Sequence, residues 1–251
     1  MNRNLTLGKK IRELRSEFDW TQEELAKRLN IPRPSVSQIE SGLREINSSE
    51  LVKLSGIFEI SIDELLNPGA EEKKVVELKR RGKLPRFDRN MFKQVLLYIL
   101  GKCGARPNVG KTVLYKILYF CDFNYYELYE EFFTGAAYRK ISYGPAPCDF
   151  GKIVAEMQKD GQIKEVSKEY YGQPQKKYLP LVEPDLNVLT ARQKELMDRV
   201  IENLSPLDAK KISDYSHEDV PWKATGEKDI IDYELVFYRT PPYSVRSYPE
   251  E

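Results

Sequence analysis

The stretch TQEELAKRLNIPRPSVSQIESG, residues 21–42, decides the fold of the N-terminal part of this chain. Its first half predicts a short amphipathic helix. Thr21 or Asp19 can cap this helix, and Glu24 follows Thr21 at the spacing of a capping box. The predicted buried face carries apolar residues at helical spacing: Leu25, Ala26 and Leu29.

The second half predicts another helix, joined to the first by a tight turn. Pro34 suits the first turn of a helix, where its missing N–H is not needed. Val36 and Ile39 are predicted to point inward. Gly42 is placed to end the helix in a left-handed conformation.

Three more helices are predicted around this pair. The first precedes it and carries apolar residues at helical spacing: Leu7, Ile11, Leu14 and Phe18. Ser48 or Ser49 can cap a fourth helix, and Ser61 followed by Glu64 can open a short fifth one. We therefore predict a compact five-helix domain over residues 1–69.

The outer face of the third helix carries small, polar and basic side chains. Glutamine can bond bidentately to adenine, arginine to guanine, and serine to bases or phosphates. The predicted base-reading face comprises Arg33, Pro34, Ser35, Ser37 and Gln38. Gln22 is placed for a phosphate, because N–H groups and the dipole at a helix start favour an anion. Arg44 completes the predicted DNA-binding set, and the expected ligand is duplex DNA.

Residues 21–42 resemble the Cro/repressor-type helix-turn-helix, also called the xenobiotic-response-element (XRE) type. The shared pattern runs from TQEELA to the terminal IE-x-G, and the similarity extends over about residues 5–67. The resemblance implies reading of the major groove by the third helix, and binding of a palindrome as a homodimer. Pro34 departs from the family pattern, so a base contact there would be apolar. The alternative is a domain of this fold that contacts protein instead of DNA.

Composition separates this segment from the rest of the 251-residue chain, because all 16 tyrosines lie beyond residue 90. The net charge of +1 argues against a protein that coats nucleic acid and allows a local basic footprint. No apolar run reaches the roughly 18 residues that a membrane span needs. A secretory signal is not recognisable either. Three widely spaced cysteines predict neither disulfides nor a zinc site, and they fit a reducing cytoplasm.

Residues 70–89 contain few large apolar side chains and the basic run Lys79-Arg80-Arg81-Gly82-Lys83. We interpret them as a helical stub and a basic linker. The run is either a solvated spacer or a strip that tracks phosphates beside the helical domain. A second domain over residues 90–251 is predicted to follow.

The second domain is predicted to be helical with a β-hairpin, which makes the chain mainly α with a minor β component (α+β). Predicted helices lie at about 90–100, 111–130, 150–159, 190–203 and 207–216, with Gly101 and Gly104 breaking the first. Residues 135–147 are predicted to be extended. Strands at 162–168 and 176–181 form a hairpin around Gly172-Gln173-Pro174, and the tail at 230–248 is predicted as a strand and an extended arm. The order of two helices followed by a hairpin also resembles a winged helix, so contact of the second domain with DNA is an alternative.

No pattern in the second domain supports catalysis, a cofactor or a metal, and we expect a protein that is not an enzyme. Gly110-Lys111-Thr112 has the wrong spacing and context for a phosphate-binding loop. Cys121 and Asp122 point to different sides of one helix, so they do not form a nucleophilic site with His217. Asp122 is predicted to be a buried anchor paired with His217 or Arg139. Alternatively, it caps or bonds a neighbouring tyrosine or arginine.

Three blocks of the second domain resemble the SocA-like Panacea antitoxin domain. They are LYKILYFCDF (114–123), the segment 138–147 with its YGPAP turn, and SHEDVPWKAT (216–225). The resemblance covers about residues 90–225. It implies direct binding of a small protein toxin encoded nearby, with control of the operon by the N-terminal domain.

Tyrosines, a tryptophan and rigid proline turns also suit an interface, because they give contact area at low entropic cost. The predicted toxin-binding residues are Tyr119, Asp122, Tyr143, Pro145, Pro147, His217 and Trp222. For the two tyrosines and Trp222, a place in the core is the alternative. The sequence thus predicts an antitoxin that represses its own operon. A ligand-responsive regulator and a protease adaptor are the alternatives.

Overall fold

The computed structural model describes residues 3–17, 20–58, 62–66, 85–170 and 173–246. The chain forms two compact units, Met1–Arg81 and Gly82–Glu251. The predicted helical stub and the basic run lie largely outside the described residues, so the domain limits 1–69, 70–89 and 90–251 stay predictions. Near the start of the second unit, the Asp88 N–H donates to the Thr134 carbonyl at 2.8 Å.

The first unit contains the five predicted helices. They are α1 (Arg3–Glu17), α2 (Gln22–Leu29), α3 (Arg33–Glu40), α4 (Ser48–Phe58) and α5 (Ile62–Leu66). Each helix contributes to one core, which includes the buried residues Ile11, Leu25, Val36, Leu54 and Leu65. Because α1 and α2 both pack against α3, the orientation of α3 is fixed by burial of its apolar side.

The turn between α2 and α3 follows its sequence signals. The Glu24 N–H donates to Thr21 Oγ1 at 3.2 Å, and the Thr21 N–H donates to Glu24 Oε2 at 2.6 Å, which confirms the capping box. Asn30 ends α2 in the left-handed conformation, with φ of 57°. Gly42 adopts the predicted left-handed conformation after α3, with φ of 73°.

The predicted cap of α4 was wrong. Asn47 caps this helix, because its Oδ1 accepts the Glu50 N–H at 2.9 Å. Ser48 is the first residue of the helix, and Ser49 follows inside it. Asparagine forms this bond as well as serine does, so the residue types alone do not favour Ser48 or Ser49 over Asn47. Phe18, Asp19 and Ser61 lie outside the described residues.

The second unit combines helices with two antiparallel hairpins. Its helices are α6 (Arg89–Cys103), α7 (Lys111–Tyr129), α8 (Phe150–Lys159), α9 (Ala191–Leu204), α10 (Ala209–His217) and α11 (Val220–Ala224), and a 3-10 helix spans Tyr233–Tyr238. β1 (Tyr138–Ile141) pairs with β2 (Gly144–Pro147), and β3 (Ile163–Tyr170) pairs with β4 (Gln173–Pro180). The predicted class, mainly α with a minor β component, is confirmed.

Helix α7 forms the centre of this unit. It is buried along most of its length, because α9, α10, β2 and the 3-10 helix pack around it. Aromatic rings fill these contacts. Phe123 stacks on Tyr233 with ring centroids 4.2 Å apart, and it meets Tyr138 edge-on at 5.7 Å. Although α7 has 19 residues, no helix among the described residues is long and apolar enough to cross a membrane.

Two predictions for the first half of this unit were wrong. Gly101 does not break α6, which continues to Cys103. This glycine is exposed and its missing side chain would meet no atom, so the helix tolerates it at a cost of about 1 kcal/mol. Residues 135–147 form the β1–β2 hairpin instead of one extended segment. The chain reverses at Ser142 and Tyr143, and Gly144 opens β2 with a φ of 94°, which suits glycine.

Two predictions for the second half also differ from the structure. Gln173 and Pro174 belong to β4 and not to the turn, while Gly172 lies outside the described residues. In the tail, Ile230 makes only an isolated bridge to Arg139, and a 3-10 helix replaces the predicted extended arm. Tyr233 and Val236 are both buried, and a spacing of three places them on one face of such a helix.

Candidate binding surfaces

Five of the seven predicted DNA-binding residues line one open pocket on the first unit. They are Gln22, Arg33, Pro34, Ser37 and Gln38. The last four are exposed on the outer side of α3, whereas Ser35 is half-buried. We call Arg33, Pro34, Ser37 and Gln38 the α3 face. It combines a guanidinium, a hydroxyl and an amide, the groups that hydrogen-bond to base edges in a major groove.

A buried carboxylate next to the α3 face fixes the position of α3 relative to its neighbouring helices. The Glu40 side chain accepts bonds from Arg15 Nε at 2.5 Å and from Arg15 Nη2 at 3.0 Å. It also accepts the side-chain amide of Gln22 at 3.0 Å. This side chain therefore links α2 to α3. The backbone N–H of Gln22, at the first position of α2, is the group that we assign to a phosphate.

Arg44, also predicted to contact DNA, forms an ion pair with Glu50. Its Nη2 lies 2.8 Å from Glu50 Oε1, and its Nη1 lies 3.3 Å from Glu50 Oε2. Burial alone raises the pKa of the Glu50 carboxyl, but hydrogen bonds from Arg44 and Asn47 lower it below its usual value overall. Both carboxylate oxygens hold the guanidinium, and contact of Arg44 with DNA stays a prediction.

Asp122 is a core residue of the second unit and not a surface contact. It accepts the backbone N–H and the hydroxyl of Thr134, both at 2.7 Å, and the hydroxyl of Tyr138 at 2.6 Å. The predicted pairing with His217 or Arg139 was wrong, and the alternative pairing with a neighbouring tyrosine is confirmed. Burial raises the pKa of the Asp122 carboxyl to about 6, against these three hydrogen bonds, which lower it.

Tyr119 is also buried, and it belongs to an ionic network that sequence analysis missed. Its hydroxyl donates to Asp219 Oδ2 at 2.8 Å. The fully buried Arg239 pairs with Asp219 through two bonds of 2.8 and 2.6 Å, and with Glu127 at 2.9 Å. It also donates to Asn124 at 2.8 Å. The network ties the C-terminal segment to α7, and the partners are too distant in sequence for any local pattern to reveal it.

Of the three predicted toxin-binding residues in the YGPAP turn, one is exposed and two are buried. Tyr143 is 55% exposed, whereas Pro145 and Pro147 are buried. Ser213 of α10 donates its hydroxyl to the Tyr143 carbonyl at 3.1 Å, which holds the turn against that helix. A side chain at Gly144 would lie 2.3 Å from the hydroxyl of Ser216.

We expect Gly144→Ala to destabilise the second unit by about 2–3 kcal/mol, because the new methyl group adds left-handed strain and clashes with the side chains of Ser216 and Lys116. Gly161→Ala is the matched control. Gly161 also has a positive φ of 68°, but its missing side chain meets no atom within 4 Å. The control should therefore lose only about 1 kcal/mol. Urea denaturation, followed by tyrosine near-ultraviolet circular dichroism, measures both. Equal losses of stability in the two variants would show that the close packing at Gly144 does not contribute to the free energy of unfolding.

His217 and Trp222 stack beside this turn. Their ring centroids lie 4.2 Å apart at an interplanar angle of 19°, and Lys140 Nζ lies 4.1 Å from the centroid of Trp222. His217 also bonds the backbone of Ser142. Both rings are half-buried. We call Tyr143, His217 and Trp222 the Trp222 surface. The structure brings these three predicted residues together and leaves Tyr119 and Asp122 in the core.

The buried thiols of this unit are poorly reactive. Burial raises the pKa of Cys121 well above its usual value, and it raises the pKa of Cys103 to about 11. A protonated, inaccessible thiol is a poor nucleophile. Within the described ranges, no group of three or more histidine, cysteine or acidic side chains is placed to hold a metal ion.

Two family models match the chain where these surfaces lie. The model described as "Helix-turn-helix" matches residues 11–65, and the model described as "Antitoxin SocA-like, Panacea domain" matches residues 114–223. The chain joins an XRE-type helix-turn-helix domain to a SocA-like Panacea domain. The first match contains the α3 face, and the second contains the Trp222 surface. Neither model indicates a catalytic family.

Curated relatives match part of the chain. The HTH-type transcriptional regulator ImmR of Bacillus subtilis (strain 168) is 36% identical over 70 residues, which is 28% of this chain and 55% of that protein. The HTH-type transcriptional activator BcrR of Enterococcus faecalis is 34% identical over 83 residues, 33% of this chain and 40% of that protein. The chain spans about half the length of these relatives. No solved structure matches it significantly. Together the matches support a DNA-binding regulator or antitoxin.

Proposed function

We propose that the chain is the antitoxin of a type II toxin–antitoxin system. In this proposal the second unit binds a toxin encoded nearby, and the first unit represses the shared operon as a homodimer in the cytoplasm. The observation that carries the proposal is the presence, in one chain, of an exposed α3 face and a Panacea match that contains the Trp222 surface. No cofactor is part of the proposed activity.

The α3 face supports the DNA-binding half of the proposal. Its groups are exposed while the apolar side of α3 is buried against α1 and α2. A rigid helix that presents Arg33 and Gln38 can read bases directly, and Gln22 at the start of α2 can fix the register on a phosphate. Pro34 adds an apolar contact.

The Trp222 surface supports the protein-binding half. A tryptophan, a tyrosine and a histidine are partly exposed together, next to a proline-braced turn. Rigid aromatic side chains of this kind commonly dominate binding energy in protein interfaces. The surrounding core fixes them, because Ser213 and Ser142 hold the turn to α10.

We expect Trp222→Ala to weaken toxin binding by about 2 kcal/mol or more, because a central aromatic anchor is lost. The measurement is rescue of growth when the neighbouring reading frame is expressed with each variant of the full chain. Phe132→Ala is the control. Phe132 is a 43% exposed aromatic residue that follows the C-terminal end of α7 and is not part of the Trp222 surface. Full rescue by Trp222→Ala, or loss of rescue with the control alone, would contradict the assigned surface.

The names of the relatives favour a second candidate, a ligand-responsive transcription regulator. Both ImmR and BcrR are described as HTH-type regulators of transcription. In this case the second unit would bind a small molecule that changes affinity for DNA. Growth inhibition by the neighbouring product, relieved by this chain, favours the antitoxin. A neighbouring product without effect on growth favours the regulator.

A further inference from the structure

Lys116 is an unexplained charge in the core of the second unit. It lies on α7, its side chain is fully buried, and its Nζ has no hydrogen-bond partner among the described residues. Burial lowers the pKa of the amine to about 7. An unpaired lysine at this position therefore opposes folding. Residues that oppose folding commonly serve a binding function.

Two nitrogens of the Trp222 surface also lack partners among the described residues. Trp222 Nε1 and His217 Nε2 are buried atoms with no hydrogen bond among the described residues. They belong to stacked rings, and Lys116 is close enough to His217 to lower its pKa, after the larger effect of burial. The ideal side-chain position of Gly144 lies 3.1 Å from Lys116 Nζ, which places the amine directly beneath the turn.

The chemistry of these nitrogens defines the missing group. The indole N–H of Trp222 only donates, and the amine of Lys116 carries N–H groups in either protonation state. The His217 nitrogen that bonds the Ser142 backbone is Nδ1, because Nε2 has no partner. Because the pKa of His217 is lowered, mainly by burial, the ring is neutral and Nε2 is an acceptor. The two donors, the Trp222 indole and the Lys116 amine, therefore define the missing group as one that supplies hydrogen-bond acceptors.

The local charge favours a single negative charge on that group. Lys140 bonds the Thr225 carbonyl at 3.0 Å and lies 3.2 Å from Glu227, and Lys223 lies 2.7 Å from Glu218. Of the three lysines around the Trp222 surface, only Lys116 lacks an acidic partner in the described part of the chain. A carboxylate matches one positive charge and offers two oxygens to the donors.

We propose that Lys116, His217 and Trp222 form a subsite that receives one carboxylate side chain, from Asp or Glu, of the partner protein. This inference rests on the proposed function, because the partner is the bound toxin. The indole and the amine donate to the two oxygens, and His217 orients the indole by stacking. The partner thereby supplies the bonds that the isolated second unit does not give to Lys116.

The test uses the full chain and sodium acetate, which carries the carboxylate of the Asp side chain. The chain has two tryptophans, so the indole region of a 1H–15N spectrum contains two signals, assigned with Trp20→Phe. At constant ionic strength, acetate should shift the Trp222 signal saturably and chloride should not. Lys116→Met should weaken this binding at least tenfold while leaving the chain folded, because it removes an unpaired buried amine.

Several results would overturn the subsite. They are an immobile Trp222 signal, equal shifts of both indoles, and an unchanged acetate titration in Lys116→Met. Inorganic phosphate is a second probe, and a saturable shift with phosphate alone would also contradict a carboxylate site. If acetate binds but the product of the neighbouring reading frame does not bind the chain, the subsite is retained and the toxin proposal is wrong. If affinity for the partner protein changes neither in Lys116→Met nor in the presence of acetate, the subsite proposal is wrong and the toxin proposal is unaffected.

Discussion

Replacing Arg239 with methionine should lower the free energy of unfolding of the second unit by about 3–5 kcal/mol, because two buried carboxylates would lose their countercharge. Asp219 and Glu127 both lie within 3 Å of the Arg239 guanidinium, and all three side chains are fully buried. Methionine keeps much of the side-chain volume, so the loss reports charge and hydrogen bonding. Such a loss is a large share of the 5–15 kcal/mol that typically stabilises a domain.

Urea denaturation followed by tyrosine near-ultraviolet circular dichroism measures this loss, because all 16 tyrosines lie beyond residue 90. Arg246→Met is the matched control in the same C-terminal segment. Arg246 pairs with Glu130 at 3.0 Å, but both side chains are at least 36% exposed. A solvated pair of this kind contributes about 0–1 kcal/mol. Equal losses in the two variants would show that the buried network does not stabilise the unit.

The double variant Arg33→Ala and Gln38→Ala should abolish discrimination between the chain's own promoter and a scrambled duplex. Each bidentate contact to a base edge contributes about 1–3 kcal/mol of discrimination, so loss of both changes the affinity ratio by about thirtyfold to twenty-thousandfold. Electrophoretic mobility shifts with both duplexes measure the ratio of the two affinities. Non-specific binding should persist, because it depends mainly on phosphate contacts.

Arg12→Ala is the control for lost charge, since Arg12 is an exposed arginine on α1 and lies outside the α3 face. It should leave the affinity ratio unchanged even if overall affinity falls slightly. If the double variant keeps the wild-type ratio, α3 does not read bases. A smaller salt dependence without a change in ratio would place Arg33 on the phosphate backbone.

The first unit could be predicted closely because its signals are local. The capping box at Thr21 and Glu24, the glycine at Gly42 and the apolar spacing each act within a few residues. These signals place the two helices and also determine which side of α3 is buried. The error at α4 has the same origin, because Asn47, Ser48 and Ser49 are adjacent residues that can all form the cap.

The second unit could be predicted in its elements but not in its polar contacts. Helix α8 was predicted within its observed bounds, because its apolar periodicity is strong. The partners of Arg239 lie 20 and 112 residues away, and no periodic pattern connects such positions. Lys116 was overlooked for a related reason, since a lysine in an apolar helix normally lies on the solvated side.

The tail shows how packing determines local structure. The aromatic and proline-rich sequence after Ile230 favoured an extended arm. Burial of Tyr233 against Phe123 instead selects a 3-10 helix, and Arg239 then anchors the segment beyond it. The tertiary contacts therefore decide between the two conformations, and these contacts form only when α7 is in place.

The most direct test of two separate docking surfaces is one binding experiment on three full-length proteins. The three proteins are the wild-type chain, Trp222→Ala and the Arg33/Gln38 double variant. Each is mixed with a promoter duplex and the product of the neighbouring reading frame. Native mass spectrometry then gives the mass of each complex. We predict that wild type retains both ligands, Trp222→Ala retains only the duplex, and the double variant retains only the protein. Loss of both ligands in either variant, or no retained protein with wild type, would contradict the account.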